Sequence, residues 1–166
     1  MTVEIVLLPA AAEDFDGYYE IKSGDGDIFW MGFAGAPDRE ILRKCFLERL
    51  GDVGAARPGD KIIYVVKPAD GGGVLGYVQF TGFEDFVEIA ISVGGRSRGA
   101  GVGRAAVKAA LKLLAPLGKK TVARIRDDNV ASQKCFLANG FSRTERYENV
   151  NYPRSGEVKL RTYVFE

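Results

Sequence analysis

Three glycines at alternate positions, in Arg98-Gly99-Ala100-Gly101-Val102-Gly103, separate an apolar strand pattern from a helical one. Glycine reaches backbone conformations closed to other residues and leaves the main chain bare, so several N–H groups of such a turn can converge on one anion. The helix that opens there adds the positive end of its dipole at the same place. A chain with this turn must therefore bring a strand end and a helix start together around an anion. Linked phosphates suit such a seat.

The rest of the composition narrows what the seat can serve. A chain of 166 residues with 46% hydrophobic and 27% charged residues suits a single globular α/β domain spanning 1–166. Met1 to Ala12 lacks a basic leader and is interrupted at Glu4 and Pro9, and no apolar run is long enough for a bilayer. Neither a secretory signal nor a membrane partner is expected. The two cysteines, Cys45 and Cys135, are read as reduced thiols of a cytoplasmic protein. Histidine is absent, which removes Ser-His-Asp and Cys-His catalysis, and no cysteine pair has zinc-ligand spacing. No metal is expected. Any acid or base must come from carboxylates, Tyr, Cys, Lys or ordered water.

The net charge of +1 conceals a segregation. Residues 1–60 carry 12 acids against 6 bases, while Ile89–Arg126 holds nine bases and no acid. That basic block contains the glycine turn, so Arg98 and Arg104 are read as serving a polyanionic ligand. No aromatic–basic interleaving or DNA-binding motif accompanies it, and nucleic acid is not expected as a partner.

Patterning supplies the elements. Val3–Leu8 reads as a strand, Ala10–Glu20 as a helix, and Ile21–Ala36 as a loop or broken helix rich in acids and aromatics. Pro37 starts a helix to about Leu50, with Ile41, Leu42, Cys45, Phe46 and Leu50 on its apolar face. Ile62–Val66 and Val74–Thr81 form a hairpin pattern, and Phe86–Val93 leads into the glycine turn. A helix from about Gly101 to Leu114, with Val102, Ala106, Ala109, Ala110, Leu113 and Leu114 inward, precedes a strand at Thr121–Arg126. Strand, helix, strand at these lengths predicts a parallel pair joined by a right-handed crossover. Asn129 caps a helix ending at Gly140, and strands at Phe141–Tyr147 and Lys159–Phe165 flank a polar loop.

The glycine turn alone is ambiguous, since dinucleotide folds also begin this way, although the G-x-G-x-x-G gap is missing. A second segment adds specificity: Asn129-Val130-Ala131-Ser132, closing at Gly140-Phe141, directly after the strand parallel to the first. Arg-x-x-Gly-x-Gly followed by Asn-x-x-Ser…Gly-Phe resembles the GNAT superfamily of acyl-CoA-dependent N-acetyltransferases. The resemblance extends over nearly the whole chain. It implies an α+β fold, a mixed and mostly antiparallel sheet of six to seven strands whose parallel pair splays to admit acetyl-CoA, with helices on both faces.

It also implies roles. Backbone N–H groups of Arg98, Gly99, Ala100, Gly101, Val102 and Gly103, with Arg104 beside them, would hold the pyrophosphate of the cosubstrate acetyl-CoA. Ile91 and Val93 would pair with the pantetheine arm like an added strand. Asn129 would reach the pantetheine amides, besides capping its helix, and Ser132 a phosphate. A backbone N–H near Ile91–Val93 would serve the oxyanion. Members of the family often dimerise, so a homodimer is an expectation of the same kind.

The chemistry implied is attack of a primary amine on a thioester, by a small molecule or peptide in a ternary complex. An alkylamine with a pKa near ~10 is protonated at neutral pH, so a base is needed. Glu88 is the candidate, because strand alternation puts it with Ala90 and Ser92 on one face next to the turn. Where many members of the family have a tyrosine that protonates the leaving sulfur, this chain has Phe136. Either the thiolate leaves unaided, which is the favoured reading, or a group such as Tyr147 or Tyr152 substitutes, or activity is reduced. On the acceptor side, Asp25 and Asp27 with Phe29, Trp30 and Phe33 would suit a cationic substrate, through charge and cation–π contact. Tyr147 and Tyr152, with Asn149, Asn151 and Arg154, form a second candidate lining. The competing reading is an acyl-CoA-binding sensor or interaction module without catalysis.

Overall fold

A computed structural model describes residues 3–166 of the chain. The elements run β1 (Ile5–Pro9), α1 (Phe15–Lys22), α2 (Asp25–Met31), α3 (Arg39–Glu48), β2 (Lys61–Pro68), β3 (Gly76–Gly82) and β4 (Phe86–Val93). They continue with α4 (Val102–Leu114), β5 (Lys120–Arg126), α5 (Val130–Ala138), β6 (Ser142–Tyr152) and β7 (Gly156–Phe165). The strands form one seven-stranded sheet in the order β1-β2-β3-β4-β5-β7-β6. Every neighbouring pair is antiparallel except β4 and β5. The predicted parallel pair and its crossover through α4 are therefore present.

That pair is short. Only Phe86, Val87 and Glu88 are in register with β5, opposite Lys120, Thr121 and Val122. β4 continues to Val93 with its other edge fully paired to β3, and β5 continues to Arg126 paired to β7. Beyond Glu88 the two strands diverge, and among the described residues the edges that face each other have no sheet partner. This wedge positions the site.

Apolar cores cover both faces. α4 packs on one through Val102, Ala106, Val107, Ala110 and Leu114, against Val78, Phe80, Ile89, Ala123 and Ile125 of the sheet. The buried stripe is centred between Ala106 and Val107, which leaves Ala109 and Leu113 at its margin, so Leu113 is exposed rather than inward. The opposite face receives α1 and α3, with Phe15, Tyr18 and Phe46 packed on Ile63, Val65 and Tyr77. Of the apolar face expected on α3, Phe46 is fully buried, while Ile41 lies in solvent. Asp38 caps that helix by accepting from the Ile41 N–H at 2.9 Å.

Two segments differ from expectation, and a third, Ile21–Ala36, is the broken helix, one of its two readings. Ala10–Glu20 is not one helix; a 3-10 turn at Ala12–Asp14 precedes α1. Ile21–Ala36 contains a defined helix, α2, stopped by Gly32 at φ 83°. The segment read as a polar loop is strand: β6 runs to Tyr152 and β7 starts at Gly156, whose φ of 69° closes the hairpin. β6 is the outer strand of the sheet, and most of its residues are exposed on both faces. No alternation of apolar and polar residues marks such a strand.

Candidate active site

The wedge between β4 and β5 opens into a crevice of about 610 Å³, bounded by the glycine turn, the start of α5 and one face of α2. At the turn, Gly99 and Gly101 both have φ of 80°, a region that side chains with a Cβ rarely occupy. Gly101 is the N-cap of α4 and offers no side-chain acceptor, and the first turn contains no acid. The amides of Val102, Gly103 and Arg104 thus lack both an intrahelical and a capping partner, and all three residues line the crevice. Gly103 lets the helix sit close: a Cβ there would lie 3.3 Å from Cys135 Sγ and 3.6 Å from a Val93 methyl.

Arg98, Gly99, Ile91 and Val93 also border the crevice, whereas Ala100 packs against the core behind it. The Arg98 side chain folds back from the turn. Its Nε donates to the Val93 carbonyl at 3.2 Å, and its guanidinium lies against Gly26 of α2. Across the crevice, Asn129 Oδ1 accepts from the Ser132 N–H at 3.2 Å, which is the capping bond expected of it. Both residues face the crevice. Cys135 does as well, and burial pushes its thiol up, with Arg104 opposing. Phe136 is in the core, edge-on to Phe141 with ring centres 4.9 Å apart.

The other end is built from long charged side chains. Glu88 is half-buried, and both of its oxygens accept from Arg124, at 3.0 and 3.3 Å. Arg124 also donates to Glu148 at 3.3 Å. Arg126, two residues on and on the same face of β5, is only 4% exposed. It donates twice to Asp128 (2.9 and 2.8 Å), to the Phe29 carbonyl (3.3 Å) and to Ser155 Oγ (3.1 Å). Its guanidinium carbon lies 4.7 Å from the ring centre of Phe29, 4.9 Å from Trp30 and 5.6 Å from Tyr152. Burial raises the Tyr152 phenol, against the opposing pull of Arg126 and Arg124.

The cation-attracting features expected at the acceptor end are therefore used within the protein. Trp30 and Tyr152 line the crevice, Phe29 stands behind Arg126, and all three face that guanidinium. Tyr147 is outside the crevice on β6, beneath Lys159 and Arg161 at 4.8 and 5.3 Å. Asp27 is buried, accepts from Tyr77 at 3.1 Å and pairs with Lys22 at 3.4 Å. Burial lowers the Lys22 ammonium, although Asp27 opposes it, and raises the Tyr77 phenol well above its ordinary value. Phe33 carries Lys22 at 4.5 Å. Arg124 and Arg126 were not foreseen as site residues. The signal was their alternation with Ala123 and Ile125, which places both on one face of a strand.

The sequence matches the model of the acetyltransferase (GNAT) domain over residues 4–142. The chain belongs to the GNAT acetyltransferase family. No curated protein matches the sequence. Among solved structures, a GNAT-family acetyltransferase from Bacillus anthracis superimposes with a TM-score of 0.80 at 16% identity, covering 99% of this chain and 98% of that one. Spermidine N-acetyltransferase from Vibrio cholerae, in complex with CoA and spermine, gives 0.79 at 15% identity, with 96% and 94% covered. An aminoglycoside acetyltransferase in complex with coenzyme A gives 0.71 at 18% identity, with 96% and 94% covered. These likenesses establish the GNAT fold. Among the described residues no helix is long and apolar enough to cross a membrane, and no cluster of metal-ligating side chains forms.

Proposed function

We propose that this GNAT chain transfers an acetyl group from acetyl-CoA to a primary amine by direct attack in a ternary complex. The observation that carries the reading is the interrupted β4–β5 pairing, with uncapped amides at one end of the resulting wedge and a carboxylate at the other. The donor set fits a coenzyme with linked phosphates: first-turn N–H groups of α4, no acid within that turn, and Arg104 alongside. The backbone of Arg98–Gly103 would hold the pyrophosphate, with Ser132 near a phosphate. Ile91 and Val93 would pair with the pantetheine, and the Asn129 amide would reach it without losing its cap. The Arg98 bond to the Val93 carbonyl must then open, or that carbonyl must accept twice.

Glu88 is assigned the proton. It is the crevice carboxylate nearest the point where the strands part, and Asp27 is already saturated by Tyr77 and Lys22. Because Arg124 occupies both of its oxygens, Glu88 can accept a proton only after Arg124 releases at least one. The protonated amine gives one of its three protons to Glu88 and then forms the N–C bond, and one proton stays on the amide nitrogen. The C–S bond breaks, and the thiolate takes the second amine proton. With a thiol pKa of roughly 8–9 that thiolate needs no acid, which is consistent with Phe136 in place of a tyrosine. The unpaired thiols of Cys45 and Cys135 favour a cytoplasmic setting.

A second reading, an acyl-CoA binder without turnover, draws on the closed Glu88–Arg124 pair and on Phe136. Two measurements separate them. Acetyl-CoA should raise the melting temperature under either reading. Thiol release across a panel of amines is expected of the transferase alone, and its absence at saturating acetyl-CoA would leave the binder.

A further inference from the structure

The acceptor end of the crevice carries a charge pattern that discriminates among amines, and the inference rests on the transferase reading. We infer that the acceptor is a zwitterion, an amine with a carboxylate on the same or a neighbouring carbon, as in an α-amino acid. Its amine faces Glu88 and its carboxylate is taken by Arg124.

Polycations fit the site poorly. Each aromatic face that could draw an ammonium group is turned to Arg126, at 4.7 Å for Phe29, 4.9 Å for Trp30 and 5.6 Å for Tyr152. A second ammonium entering there would meet a buried guanidinium in a poorly screened place. Asp27, the other crevice acid, is buried beneath Tyr77 and Lys22. What remains is Glu88 against two arginines of one strand face.

Arg124 is suited to a carboxylate. Three of its five N–H donors are engaged, two by Glu88 and one by Glu148, and its side chain is 39% exposed. The planar fork accepts carboxylates in bidentate fashion. Glu148 holds the guanidinium in place when Glu88 leaves it. An α-amino acid supplies both halves of an exchange: its carboxylate replaces Glu88 on the fork, and the freed Glu88 meets the ammonium it must deprotonate. An amine without a carboxylate offers nothing to open the Glu88–Arg124 pair. Specificity and base activation then have one cause.

The test is a matched comparison at saturating acetyl-CoA, by thiol release: L-methionine, L-leucine and L-phenylalanine, each against its own carboxamide, with spermidine alongside. Charge-assisted bonds of this kind correspond to at least about tenfold, so kcat/KM for the acids should exceed that for the amides by that factor. The amide's amine has a pKa near ~8 and is more often free at neutral pH, so that bias runs against the expected result. Arg124→Met should bring the acid-to-amide ratio to within about threefold, and Arg124→Lys should restore part of it. Both variants must keep their acetyl-CoA-induced rise in melting temperature, which separates loss of recognition from loss of fold. Equal or faster turnover of the carboxamides or spermidine overturns the inference and leaves the transferase reading intact. Absence of thiol release with every amine tried, in a protein that acetyl-CoA still stabilises, overturns both.

Discussion

The end of the crevice proposed for the coenzyme is made largely of main chain from residues 98–104, with Asn129 and Ser132 opposite, while the end proposed for the acceptor is made of side chains from α2, β4, β5 and β6. The first needs only a bare turn and the start of a helix, and its amides are in place before any ligand arrives. The second is already satisfied internally, with Glu88 on Arg124 and Arg126 on Asp128. Under the proposed function one end is therefore ready to bind, and the other must exchange a partner to act. Substitutions should separate the two ends by what they move: coenzyme affinity at one, turnover and stability at the other.

The largest effect is expected at the acceptor end. Glu88→Gln keeps the shape but cannot accept a proton, and kcat/KM should fall by about 100-fold or more. The loss should be greatest at low pH, where the acceptor amine is protonated, and should narrow as pH approaches the amine's own pKa near ~10. Acetyl-CoA binding should survive. A flat pH dependence of the deficit, or no deficit, would remove Glu88 from the mechanism.

Next is Arg126→Met. It strips four hydrogen bonds from a 4%-exposed guanidinium and leaves the Phe29 carbonyl without that partner. Removing one partner from a buried network costs about 3 kcal/mol, discounted here because Asp128 can turn to water. For a chain of this size that is a fall in melting temperature of roughly 6–12 °C, read by calorimetry. A variant as stable as the parent would mean that the aromatic stack holds this end without the cation.

At the coenzyme end, Gly101→Val places a β-branched residue at φ 80°. Strain of about 1–3 kcal/mol should distort the turn and weaken acetyl-CoA by about 10- to 100-fold in titration calorimetry. The melting temperature without coenzyme should change less than in Arg126→Met. If instead stability collapses and affinity in the folded fraction is kept, the turn is structural and the contrast between the ends fails.

The same contrast explains what could be read before the structure. The glycine turn and the helix start behind it were legible because they are contiguous: Gly99, Gly101, Gly103 and the capping Asn129 are written within two short stretches, and the parallel pair followed from the spacing between them. The acceptor end was not, because Phe29, Trp30 and Tyr152 meet Arg126 only after the sheet has folded. Aromatics beside acids in residues 25–33 suggested a cation site. In the structure these groups face cations of the chain itself, Phe29 and Trp30 facing Arg126, and Asp27 and Phe33 facing Lys22. The second half of β6, beyond Tyr147, escaped for a related reason: an outer strand exposed on both faces has the composition of a loop, and the pairing that makes it a strand lies in β7.

The smallest effect tests whether the Arg126 network is electrostatic as well as steric. Hydrogen bonds from Arg126 hold the Asp128 carboxyl below its ordinary value, with burial opposing and the guanidinium charge assisting. A carboxyl lowered in the folded chain contributes stability above its unfolded value of about 3.9, and that contribution is lost as pH falls through the lower folded value. Asp128→Asn should therefore be slightly less stable than the parent in urea at pH 7. The difference should persist down to about pH 4 and close at more acid pH, where the parent's carboxyl is itself protonated. Because Asp128 is well exposed, the gap should be small and should shrink further in salt. A gap that is constant from pH 7 to pH 3 would assign the effect to hydrogen-bond geometry alone, and the acceptor end would then be held by shape rather than charge.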